Sequence, residues 1–74
     1  MIFIMIEIFK TNVQNKTQAK KITASLEKMF VKSKINFDLN DCDKILRVDG
    51  IKTSYTSIIV NNLKNLGFTC EILN

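Results

Sequence analysis

The chain has 74 residues, room for one domain with a thin core, since a chain this short buries only ~60% of the surface its unfolded form exposes. Hydrophobic residues at 46% and charged residues at 24% exclude a disordered composition, and the absence of His removes the usual general base and the commonest nitrogen ligand for zinc. The net charge of +4 sets ten lysines and one arginine, scattered along the chain, against seven acids, without the basic stripe and interleaved aromatics that nucleic-acid binding favours.

Ile2 to Lys10 is dense in β-branched and aromatic residues and reads as a central strand buried on most of both faces. The even positions Ile2, Ile4, Ile6 and Ile8 share one face; Phe3, Met5, Glu7 and Phe9 share the other. As a signal peptide the run fails: no positive charge precedes it, Glu7 interrupts it and no small-residue cleavage site follows. It is also far shorter than the ~20 apolar residues of a membrane helix. The expectation is a cytoplasmic protein with no membrane partner, its two cysteines reduced.

Thr11 to Lys16 reads as a polar loop. From about Thr17 to Phe30 the apolar residues Ala19, Ile22, Leu26, Met29 and Phe30 form one helical stripe, with Asn15 or Thr17 as the cap. Ile35, Phe37 and Leu39 alternate with polar residues in a half-buried strand. Asn40-Asp41-Cys42-Asp43 is turn chemistry, Lys44 to Val48 is the return strand, and Asp49-Gly50 ends it. A second helix runs from about Ser54 to Leu66, capped by Thr53 or Ser54 and stopped by Gly67, with Tyr55, Ile59, Leu63 and Leu66 as its stripe. Phe68, Cys70 and Ile72 alternate in a last strand.

The order β-α-β-β-α-β predicts an α+β, ferredoxin-like sandwich over residues 1–74: a four-stranded antiparallel sheet, order 4-1-3-2, with two helices on one face.

The stretch Asn12-Val13-Gln14-Asn15-Lys16-Thr17-Gln18-Ala19-Lys20-Lys21-Ile22, with Leu26, resembles the first loop and helix of heavy-metal-associated domains, the small copper chaperones and N-terminal modules of copper-transporting ATPases. That family carries Gly-Met-x-Cys-x-x-Cys-Ala-x-x-Ile-x-x-x-Leu there. Leu63 and Gly67-Phe68 resemble the family's ending, and the likeness runs from about Ile6 to Leu73. The resemblance implies the same fold and a metal loop at the first helix. Asn15 and Gln18 stand where the two metal-binding cysteines would be, and Asn12-Val13 replaces Gly-Met. Copper(I) is soft and is held by thiolates, for which neutral amides are no substitute. The expectation is therefore a non-catalytic module, degenerate at its metal loop, with no cofactor, no heavy metal at these positions and no enzyme activity.

Its expected partner is another protein or a second copy of itself. Phe3, Met5 and Phe9 are predicted to point away from the helices, joined by Ile45 and Leu73, on a sheet face open to water. Two alternatives stand beside this. A metal-handling role would use Cys42, although its setting between Asp41 and Asp43 argues against a reactive thiol, and Cys70 reads as a small core hydrophobe. An anion or nucleic-acid role would use Lys16, Lys20 and Lys21 at the start of the first helix. Asp38, Asp41, Asp43 and Asp49 lack the spacing of a calcium loop and read as a solvated hairpin.

Overall fold

The computed structural model describes residues 4–73. Strand β1 (Ile4–Thr11) leads to helix α1 (Lys16–Met29), then β2 (Lys34–Asp38) and β3 (Ile45–Lys52). A single 3-10 turn (Thr53–Tyr55), helix α2 (Thr56–Asn65) and β4 (Cys70–Ile72) complete the chain. The strands form one antiparallel sheet in the order β2-β3-β1-β4, the expected ferredoxin-like arrangement. The two eight-residue strands, β1 and β3, are central, and the short β2 and β4 are the edges.

The core lies between one sheet face and the two helices. Ala19, Ile22 and Leu26 of α1 and Ile59 and Leu63 of α2 pack with Phe9, Leu46, Val48, Ile51 and Cys70 of the sheet. The i, i+3 and i+4 spacing places those helical residues on one stripe each, so both helices bury their apolar side on the same layer. Asn62 Nδ2 donates to Ser25 Oγ at 2.9 Å, a hydrogen bond that ties the helices together.

Local chemistry sets the boundaries. Asn15 is extended at φ −148°, and its side chain caps α1. Gly67, at φ 94°, ends α2. The Phe68 N–H donates to the Leu63 carbonyl at 2.9 Å and the Gly67 N–H to Lys64 at 3.0 Å, the paired bonds of a Schellman stop.

Three expectations change. Asp49-Gly50 does not end the third strand. Gly50 takes φ 85° inside it, and the pairing with β1 slips there, Met5 facing Ile51 and Ile6 facing Asp49. A glycine in this left-handed conformation supplies the extra residue of a bulge, so Ile51 points inward with Leu46 and Val48 although the spacing is odd. Neither Thr53 nor Ser54 caps α2; the 3-10 turn leads into it without a side-chain cap. Finally, β1 is not buried on both faces, since Met5, Ile6 and Ile8 are all exposed.

Among the described residues, no helix is long and apolar enough to cross a membrane.

Candidate functional site

The first loop holds no thiolate, and the side chains in its place close the helix start. Asn15 Oδ1 accepts from the Gln18 N–H at 2.9 Å, and Gln18 Oε1 accepts from the Gln14 N–H at 2.8 Å. These reciprocal bonds have the logic of a capping box, in which polar side chains satisfy the backbone donors that a helix start leaves free. Asn12 Oδ1 meanwhile accepts from the Thr69 N–H at 2.9 Å, fastening this loop to the segment before β4. The amides at positions 12, 15 and 18 are thus engaged with backbone. Lys16, Lys20 and Lys21 are exposed on α1, and Lys16 and Lys20 lie along the side that faces β2.

The cysteines are separated in environment. Cys42 is exposed in the β2–β3 turn, and Cys70 is buried on β4 at the opposite edge of the sheet. Burial pushes the Cys70 thiol up to about 12, with a smaller contribution from the charge of Glu71. Around Cys42, ligand atoms of Asp41, Cys42 and Asp43 lie within 4.8 Å of one another. That turn is already tied internally: Asp41 Oδ1 accepts from the Asp43 N–H at 2.8 Å, and Asp43 Oδ1 is 3.7 Å from Lys10 Nζ. The Thr11 N–H donates to the Asp43 carbonyl and its hydroxyl to the Lys44 carbonyl, so β1 anchors the turn.

The open face of the sheet is where the apolar residues gather, and its membership differs from expectation. Phe9 is fully buried and cannot belong to it. It pairs with Leu46, and Glu7 pairs with Val48, so the odd positions of β1 after the bulge point toward the helices. Met5 is turned the same way as its buried partner Ile51, and Thr53 Oγ1 donates to its sulfur at 3.0 Å. Phe3 lies outside the described residues. Ile45, half-buried, and Leu73 do lie on the open face.

In place of the odd residues stand Ile6 and Ile8. They are 46% and 37% exposed, and Leu73, 41% exposed, joins them because its N–H donates to the Ile8 carbonyl at 2.8 Å. Their neighbours across the ladder are charged: Ile8 faces Arg47, Ile6 faces Asp49, and Lys10 faces Glu71. Lys34 and Asp38 of β2, and Lys52 next to the inward Ile51, complete a face that mixes bases and acids. Val13, buried two residues beyond the buried Thr11 and four beyond Phe9, shows the same facing of the odd positions. Continued alternation through 9, 11 and 13 places the odd positions inward.

A second surface was not anticipated from the sequence. Between α1 and β2 runs a groove of about 460 Å³. Ala19, Thr23 and Ala24 line the helical wall, and Ile35, Phe37 and Leu39 line the strand wall. The floor of the helical wall is small, between Lys16, Lys20 and Glu27, and Ile35, Phe37 and Leu39 opposite it stay half-buried.

No protein-family model, no curated protein and no solved structure matches this chain.

Proposed function

We propose that the chain is a non-catalytic contact module of the heavy-metal-associated type, in which a capped helix start has replaced the thiolate loop. It acts by docking the open sheet face onto another protein. One observation carries the reading: Ile6, Ile8 and Leu73 stand together and exposed on a face that neither helix covers. Apolar side chains clustered at the centre of a polar rim are the form of a protein-binding surface. The rim narrows the partner's chemistry. Lys10, Lys34, Arg47 and Lys52 are interleaved with Asp38, Asp49 and Glu71, which favours a protein surface of mixed charge over a polyanion. The described part of the face also carries no aromatic residue on which a base could stack.

The test is the double substitution Ile6→Lys/Ile8→Lys, which changes the centre of the face without entering the core. The wild-type chain is expected to retain a discrete protein in a pull-down, and the variant to lose it while its thermal unfolding transition is retained. Association unchanged in a folded variant would refute the reading.

A further inference from the structure

We infer that β2 is a self-pairing edge, through which two copies of this chain join their sheets in antiparallel register about Asn36. This goes beyond the open-face reading: it uses a different surface and names a second copy of this chain as the occupant.

The two edges of the sheet are unlike. β4 is three residues long, too short to template another strand, whereas β2 runs for five residues without proline or bulge. An edge strand exposes one row of backbone N–H and C=O groups, and proteins usually blunt such a row with shortness, proline, bulges or charges pointing inward. On β2 the inward residues are Ile35 and Phe37, half-buried beside the groove, and the charges Lys34 and Asp38 are on the open face.

The strand's sequence, Lys34-Ile35-Asn36-Phe37-Asp38, is complementary to its own reverse. Centring a two-fold axis on Asn36 sets Lys34 opposite Asp38 of the second copy at both ends. It sets Ile35 opposite Phe37 on the groove side, and the two Asn36 side chains opposite each other on the open face. Directly opposed side chains in an antiparallel ladder share a face, so the apolar pairs meet over the two grooves and the ion pairs meet over the open face. In-register parallel pairing would instead place Lys34 against Lys34 and Asp38 against Asp38, so the same charges select the antiparallel arrangement. Among the described residues neither Lys34 nor Asp38 has an ion-pair partner within its own chain. Ala19 and Ala24 leave the groove open in its middle, between Lys16, Lys20 and Glu27 of the same helix. A five-residue ladder with its flanking groove falls in the size class below ~1,200 Å² of total buried area, which marks a reversible dimer.

The experiment is sedimentation equilibrium of the full chain from about 10 µM to about 1 mM, the range for interfaces of this class. The wild type is expected to move from monomer to dimer. Asp38→Lys brings two lysines together at each end, and Lys34→Asp brings two carboxylates together. Each is expected to weaken self-association about tenfold or more, since opposed like charges replace opposite ones at two positions. An equimolar mixture of the two variants restores the complementarity and is expected to dimerise as the wild type does. If Lys34→Asp fails to fold, because it faces Asp49 across the ladder, Asp38→Lys, which faces Ile45, carries the test alone. A wild type monomeric throughout, or a dimer indifferent to Asp38→Lys, overturns the inference. Neither result touches the open-face reading, which is tested through Ile6 and Ile8.

Discussion

Asn15 and Gln18 close the same turn from both sides: the side chain of Asn15 accepts the Gln18 backbone N–H at 2.9 Å, and the side chain of Gln18 accepts the Gln14 N–H at 2.8 Å. Removing the Asn15 side chain frees a helix-start donor in the one stretch where α1 meets the loop anchored by Asn12. Asn15→Ala is therefore expected to cost about 1 kcal/mol of stability, and Asn15→Asp to cost little, because both Asn and Asp cap well. Urea unfolding of the three proteins measures this.

The same two positions test the resemblance to heavy-metal-associated domains. The wild-type chain is expected to bind no stoichiometric copper(I) in anaerobic competition against a chromogenic chelator, with its thiols reduced. Asn15→Cys/Gln18→Cys is expected to bind one copper per chain, since a helix N-terminus favours thiolates and thiolates hold soft copper(I). A wild type that binds copper and loses it on Cys42→Ser would instead support a metal site at the β2–β3 turn.

The cysteines differ enough in environment to be told apart in solution. Cys42 is exposed and Cys70 buried, so a thiol reagent at pH 8 is expected to label one site per folded chain quickly and the second only on unfolding. Burial, with help from Glu71, raises the Cys70 thiol from 9.0 to about 12 in the folded protein. Above pH 9 the unfolded chain therefore sheds a proton that the folded chain keeps. This contribution to stability is fully present below 9 and is lost as pH climbs toward 12. The loss is expected to be smaller in Cys70→Val, and comparing urea midpoints of the two proteins across that window checks the sign.

Periodic elements with one apolar side were readable from the residues alone. Ala19-Ile22-Leu26 and Ile59-Leu63 could face only a core, and Asn15 was recognisable as a cap because Asn ahead of such a stripe satisfies free donors. β1 was not readable in the same way. With Ile6, Ile8 and Phe9 all apolar, the strand offers no polar-apolar alternation, and its facing is decided by what Phe9 and Val13 pack against. Gly50 resembles a strand end in sequence because Asp-Gly favours turns, yet the ladder continues through it as a bulge. The groove beside β2 depends on the distance between a helix and a strand that share no local pattern. Only the small residues Ala19, Thr23 and Ala24 on one side of α1 hint at it.

Under the proposed function the open sheet face, and not the helical side, makes the contact. The most direct measurement places a photo-crosslinking residue at Ile8 in one protein and at Lys21, on the exposed side of α1, in another, and illuminates each in cells that express it. A discrete crosslinked protein partner is expected from position 8 that disappears on Leu73→Lys, and none from position 21. A discrete partner from position 21 with none from position 8 would contradict it.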